Sequence, residues 1–338
     1  MKKAVILFNL GGPDKLENVE PFLFNLFNDP AIISIPTIFR LPLAKLISKR
    51  RAPIAKNIYK EIGNKSPILE LTQDQAKSLE DSLLKKGDYK CFIIMRCWHP
   101  RAENVIKEVK EYNPEEIILL PLYPQYSAST SGSSIKEWND LCKKENYKVK
   151  TKTVCCYPTE NNFLESHAKL IKKTIKNLEN KNFKILFSAH GLPENKIKKG
   201  DPYQWQVEQT VEGIMAKLTN ENLDYIISYQ SRVGPLKWIG PSTDEVIIKY
   251  SKEKKGIIIV PVAFVSEHSE TLVELDIEYK KLAEKNGCSF YKRVPALGIE
   301  ENFIKGLETL VLQQQTKGNF VSSVMCPKSY KKCPCLEL

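Results

Sequence analysis

Three pairs of apolar runs recur along the chain in the same order. AVILFNLGGPD near the start is echoed by FKILFSAHGLPE at 183–194. DYKCFIIMRCWHP (88–100) is echoed by LDYIISYQSRVGP (223–235), and EEIILLPLYPQ (115–125) by KGIIIVPVAFV (255–265). Each run is continuous rather than alternating and ends in a turn containing Gly or Pro, the pattern of strands buried on both faces of a parallel sheet. Between the runs lie amphipathic stretches. PILELTQDQAKSLEDSLLKK places Leu71, Leu79 and Leu83 among charged residues, and DPYQWQVEQTVEGIMAKL is similar. Strands alternating with helices predict βαβ units with right-handed crossovers. The expected fold is therefore α/β, with two similar doubly wound domains at 1–150 and 151–298 joined near 148–155. A final helix from Ile299 to Gln315 is expected to pack back on the first domain, followed by a cysteine-containing tail to 338.

A length of 338 residues allows two domains with sizeable cores. Apolar residues at 42% and charged residues at 27% are ordinary for a soluble globular protein. No segment holds the roughly 18 uninterrupted apolar residues of a membrane span. The start, MKKAVILFNLGGP, has an apolar run of only about seven residues closed by GGP, which reads as a first strand rather than a signal peptide. The expected location is cytoplasmic. Nine scattered cysteines, an odd number in a long chain, argue for reduced thiols.

The formal charge of +11 raises the question of a nucleic-acid partner. The excess is local: Lys45, Lys49, Arg50, Arg51, Lys56 and Lys60 follow one another with no acid between them. Elsewhere Lys and Glu alternate, as in KEVKEYNPEE, a solvated helix face. With no RNP, zinc-finger or helix-turn-helix signature, the cluster fits a local anionic partner and not a nucleic acid. Just before it, IISIPTIFRLPLAKLISKRR (32–51) is apolar and broken by Pro36 and Pro42. It reads either as a cover over a cleft or as a lip that touches a membrane surface peripherally.

In open parallel sheets, ligands bind beyond the carboxyl ends of the strands. Those ends carry Arg96, Trp98, His99, Tyr123, His190, Gln230 and the segment Phe264 to His268, which are expected to line an interdomain cleft. Of the four histidines, His167 sits in a helical pattern and His99 at a strand-to-helix junction, where local structural roles suffice. His190, in FSAHGLP, and His268, in VAFVSEHSETLVELDIEY, are the functional candidates. The second motif stacks Glu270, Glu274 and Glu278 four apart, a spacing that on a helix puts like charges together at a cost of roughly 0.2–0.5 kcal/mol per pair. Leu272, Leu275, Tyr279 and Leu282 form the predicted core stripe, so the ladder lies away from it. Spacing alone reads as a solvated acidic face near a helix N-terminus. Its place directly after a strand-end histidine suits cation passage or proton removal instead. His190, His268 and Glu270 are imidazole and carboxylate donors suited to Fe2+ or Zn2+. GGP at 11–13 lacks a full G-x-G-x-x-G, and no Walker A sequence is present.

FSAHGLP, YPQYSASTSGSS (123–134), SRVGPLKWIGP (231–241) and VSEHSETLVELDIEY together resemble the ferrochelatases, which insert Fe2+ into a porphyrin at the end of heme synthesis. The likeness runs from the first strand to about residue 310. It implies two Rossmann-like, chelatase-type domains around a porphyrin cleft, and an enzyme, a metal-chelating lyase acting on protoporphyrin IX. Coproporphyrin ferrochelatase and a non-catalytic porphyrin carrier are the alternatives. The resemblance makes His190 and Glu270 the catalytic pair with His268 beside them, and Glu274 and Glu278 an acidic metal or proton path. Arg50, Arg51, Ser66 and Tyr59 match positions that meet porphyrin propionates. Arg96, Tyr123, Tyr203, Trp238 and Phe264 match other cleft residues, and Leu10 stands where many members have methionine.

Iron enters as substrate, and no tightly bound cofactor is expected. Some members of that family hold a [2Fe–2S] cluster with one cysteine inside the YPQYS motif, where this chain has Ala128. The tail CPKSYKKCPC spaces Cys326, Cys333 and Cys335 differently from that pattern, so a cluster there needs another thiolate and is not the favoured expectation. A homodimer is left open.

Overall fold

The computed structural model describes all residues except 179–181, 220–222, 233, 235, 314–318 and 337–338. Among the described residues nine strands form: β1 (Lys2–Asn9), β2 (Asp88–Met95), β3 (Glu116–Pro121), β4 (Lys150–Cys156), β5 (Phe183–His190), β6 (Tyr225–Gln230), β7 (Gly256–Pro261), β8 (Tyr291–Arg293) and β9 (Phe320–Ser322). They belong to two compact units, the first made of Met1–Cys156 with Leu307–Ser322 and the second of Tyr157–Gly306 with Ser323–Leu338.

The first unit holds a sheet of order β2-β1-β3-β4-β9 and the second a sheet of order β6-β5-β7-β8. Every neighbouring pair is parallel. The three echoed segments thus become equivalent strands: β1 and β5 are central, β2 and β6 flank them on one side, β3 and β7 on the other. In β1, Ala4 through Phe8 are wholly buried, which is why the sequence reads as an unbroken apolar run. Ile6, Phe8, Ile94 and Leu119 pack under the helices Ala102–Tyr112 and Ser131–Lys144, through Val105, Ile106, Val109 and Trp138. In the second unit Leu186, Ile257 and Ile259 meet Val246, Ile247 and Tyr250 of the helix Thr243–Lys252, which begins in a Ser242/Glu245 capping box.

The two glycines of GGP have steric duties. Gly11 has φ +84°, and a Cβ there would lie 3.0 Å from the Cβ of Met95. At Gly12 it would lie 2.5 Å from Ser66, whose N–H donates to Pro13 O. The turn after β1 is shaped for close chain approach, the use that glycine permits.

Two elements differ from the sequence expectation. Most of the segment read as a cover or lip, 32–51, lies in one 24-residue helix, Thr37–Lys60, which continues through Pro42 and Pro53 where the prolines suggested a break. The final helix spans Glu301–Leu312, starting after the expected Ile299 and ending before Gln313, which is a bend; 314–315 lie outside the described residues. Among the described residues no helix is long and apolar enough to cross a membrane.

Candidate metal-handling site

In the second unit the chain goes from β5 to β6 on one side and returns to β7 on the other. The switch point between β5 and β7 is where open α/β sheets place ligands. His190 is the last residue of β5, and the chain after β7 carries Phe264, His268 and the glutamate ladder.

The ladder does not form the α-helix its spacing suggests. Glu270–Glu278 is a π-helix, which passes into an α-helix at Tyr279–Lys285. The Tyr279 N–H donates to Glu274 O, five residues back. Such runs are rare and gather at functional sites. Side chains from β8 brace this one: Arg293 forks onto Asp276 at 2.7 and 2.8 Å, and the Tyr291 hydroxyl donates to Leu275 O at 2.6 Å. The wider turn also changes what is buried. Thr271, Val273 and Leu275 face the interior, while Leu272 is half-buried.

Glu270 stands between two imidazoles. Its Oε2 lies 3.1 Å from His190 Nδ1 and 3.6 Å from His268 Nε2. His268 Nδ1 sits 3.2 Å from Ser266 O, a pure acceptor, so that nitrogen carries the proton and Nε2 faces the carboxylate. Phe264 lies against the His268 ring, with centroids 4.7 Å apart. Burial works against charge on both members of the His190–Glu270 pair, but mutual attraction wins: the His190 pKa is raised above 6.5, helped by Glu270 and then Glu274. Glu270 is held well below the usual carboxylate range by His190 and His268.

Glu274 accepts from Ser231 N–H (2.9 Å), Ser231 Oγ, Gln230 Nε2 (3.1 Å) and the Tyr279 hydroxyl (3.0 Å). Its pKa is nevertheless raised, by burial first and then by the charge of Glu270. Glu278 is exposed. The buried Tyr203 starts the helix Tyr203–Ala216, where burial pushes its phenol pKa up and Glu270 adds to the effect. Trp238 is half-buried and bridges to Pro193, and among the described residues its buried Nε1 finds no hydrogen-bond partner.

The remaining candidates lie in the first unit. Arg50 is exposed and Arg51 half-exposed on the helix Thr37–Lys60, whose buried face includes Tyr59. Ser66 is buried behind Gly12. Leu10 packs on a cluster with Val19, Tyr59 and Trp98. Arg96 is fully engaged: Nε donates to Ser133 (2.8 Å), and the other nitrogens meet Asp29 (3.0 Å) and Glu137 (3.2 Å). Tyr123 has a buried hydroxyl whose pKa is pushed up by burial.

His99 is exposed against the edge of Trp98. His167 is wholly buried, edge-on to Phe163, and burial lowers its pKa to about 3. Sequence reasoning assigned no role in the site to Ser231, Asp276 or Arg293, and read Tyr279 only as part of the core stripe. A polar Gln230-Ser231 pair ending an apolar strand was the signal available for the first.

The tail cysteines Cys326, Cys333 and Cys335 are buried. The sulfurs of Cys333 and Cys335 lie within 4.8 Å of each other, and Gln206 Nε2 reaches Cys326 Sγ at 3.2 Å.

A sequence model of the ferrochelatase family matches residues 2–315. The ferrochelatase of Pelagibacter ubique is 66% identical over all of this chain and 99% of its own length. Those of Rickettsia felis and Caulobacter vibrioides are 50% and 49% identical, each over 99% of this chain. Among solved structures, SirB from Bacillus subtilis with Fe3+ aligns with a TM-score of 0.52 at 15% identity, covering 92% of this chain and 94% of its own. The sirohydrochlorin chelatase SirB of B. subtilis subspecies spizizenii in complex with cobalt gives 0.51 at 11% identity, covering 90% and 92%. Likeness at that identity concerns the fold: two parallel-sheet units of chelatase type.

Proposed function

The chain belongs to the ferrochelatase family, and from that premise we propose that it is a protoporphyrin ferrochelatase, a lyase that inserts Fe2+ into protoporphyrin IX. The observation that carries the reading is the His190–Glu270–His268 triad at the ends of β5 and β7. Metalation must strip two N–H protons from a rigid macrocycle while a hydrated cation sheds water. With Glu270 on Nδ1, His190 keeps Nε2 for the pyrrole proton, and the nearby carboxylate stabilises the imidazolium that results. Glu270, charged and flanked by two imidazoles, offers the cation an anionic oxygen and nitrogen donors of suitable softness. Tyr203, Trp238 and Phe264 would bound the macrocycle, and Arg50 and Arg51 are the accessible groups suited to its propionates, since a guanidinium matches a carboxylate bidentately; Tyr59 and Ser66 are buried and would act from behind. No resident cofactor enters these steps.

The helix Thr37–Lys60 supports peripheral membrane contact and the less polar porphyrin over coproporphyrin. At 3.6 residues per turn, exposed Phe39, Leu43, Leu46 and Ile54 fall opposite the buried Ala44, Ser48, Ala52 and Tyr59. Lys45, Lys49, Lys56 and Lys60 form a row beside them. Apolar residues that insert and lysines that meet anionic headgroups are the makings of an interfacial helix.

Anaerobic incubation with Fe2+ or Zn2+ and protoporphyrin IX, followed by absorbance, tests the assignment. Metalation by the intact protein and its loss in His190→Ala are expected. No metalation, or full activity in the variant, would sink it.

A further inference from the structure

This inference concerns the same site and rests on the metalation reading. An ionised carboxylate offers about four lone-pair positions. Glu274 spends all of them inside the protein: Oε1 accepts from Ser231 N–H and the Tyr279 hydroxyl, and Oε2 from Ser231 Oγ and Gln230 Nε2. With a backbone N–H on one oxygen and an amide N–H on the other, the arrangement is built for the ionised form and leaves no lone pair for a metal.

The donors are themselves fixed. Gln230 is 1% exposed, and its Oε1 accepts from Ser188 Oγ at 2.7 Å, so Nε2 is the end that faces the carboxylate. Ser188 lies 3.0 Å from Thr243, which donates to Ser228, and all three are wholly buried. The amide is thereby tied to the strands and to the helix Thr243–Lys252. Ser231 has φ +60°, a conformation uncommon for a residue with a side chain. That strain aims both its N–H and its hydroxyl at the one carboxylate.

We infer that Gln230 and Ser231 are positioning residues that lock Glu274 as a fixed anion near Glu270, so that Glu274 draws in the cation by charge and is not one of its ligands. The consequence differs in sign from a ligand role. Freeing a ligand from competing donors would tighten metal binding, whereas loosening a locked anion weakens it.

Ser231→Ala and Gln230→Met should each raise the KM for the metal about tenfold, the scale of one charge-assisted hydrogen bond. The Kd for protoporphyrin, read by fluorescence quenching, and the unfolding midpoint should stay put, so that the effect is confined to the metal. Calorimetric titration of the intact protein with Co2+ gives a readout free of turnover and should weaken in parallel. An unchanged or lower metal KM, or undiminished Co2+ affinity, would overturn the inference. So would metal KM and porphyrin Kd rising together with a falling midpoint. Weakened Co2+ binding in Ser231→Ala beside an intact protein that metalates nothing would instead remove the chelatase reading and leave the positioning standing.

Discussion

Glu270 Oε2 lies 3.1 Å from His190 Nδ1, joining the end of one strand to the start of a π-helix eighty residues later. Each partner shifts the other: the imidazole pKa is raised and the carboxylate pKa lowered. A base whose proton affinity is set by a neighbouring charge has a pH profile that reports that neighbour.

Activity that requires neutral His190 should therefore rise with pH through a value above 6.5. Glu270→Gln removes the charge that stabilises the imidazolium, so the acid limb of kcat/KM should move to lower pH. Turnover at the plateau should fall by about a hundredfold or more, as for loss of a positioned acid–base partner. A limb that stays in place would show that another group titrates.

His167 makes a prediction about stability rather than turnover. Buried in the second unit, it titrates at about 3 when folded, against 6.5 when exposed. Between these values the unfolded chain binds a proton that the native state refuses, so stability falls as pH drops below 6.5. The loss should reach about 2 kcal/mol by pH 5. His167→Leu keeps the apolar contact with Phe163 and removes two buried ring nitrogens that have no partner among the described residues. It should flatten this part of the denaturant-measured stability profile between pH 6.5 and 5 and add stability at neutral pH, since buried unpaired polar atoms cost about 1–3 kcal/mol each.

Six of the strands were legible because burial on both faces leaves an unbroken apolar run, and because each half repeats the other; β4, β8, β9 and the order within each sheet were not. His190 and His268 were legible for the same reason: a polar residue ending such a run has few structural excuses. The helix type of the ladder was not. Spacing puts Glu270, Glu274 and Glu278 together in either geometry, and the π-turn depends on Arg293 and Tyr291, which reach back from β8. Charge pairing across distance was equally hidden: Arg96 looks like any strand-end arginine until Asp29 and Glu137 are seen to hold it.

That pairing is open to test. Asp29 is 3% exposed and accepts from Arg96 and from Ser133 Oγ at 2.6 Å. Arg96→Met strands a buried carboxylate, and the expected cost is about 3–5 kcal/mol in urea unfolding. Arg96→Lys should recover only part, because one ammonium cannot reproduce a planar fork. Asp29→Asn placed on Arg96→Met should recover stability by removing the uncompensated charge. A negligible effect of Arg96→Met would show that the cluster is solvated.

The helix Thr37–Lys60 invites a vesicle experiment. Ile38 and Ile54 are 75% and 66% exposed, an unusual outlay of apolar surface on one helix. If the apolar side inserts and the lysine row meets headgroups, co-sedimentation should be strong with vesicles rich in phosphatidylglycerol and weak with phosphatidylcholine alone. Each lysine near an anionic surface is worth about 1 kcal/mol, so Lys45→Gln/Lys49→Gln should lower partitioning more than tenfold and make the remainder less sensitive to salt. Phe39→Glu/Leu46→Glu should abolish insertion on either vesicle while leaving the unfolding midpoint unchanged, since both side chains lie off the buried face. Equal binding to the two vesicle types, or binding that survives the paired glutamates, would rule the helix out as the point of contact.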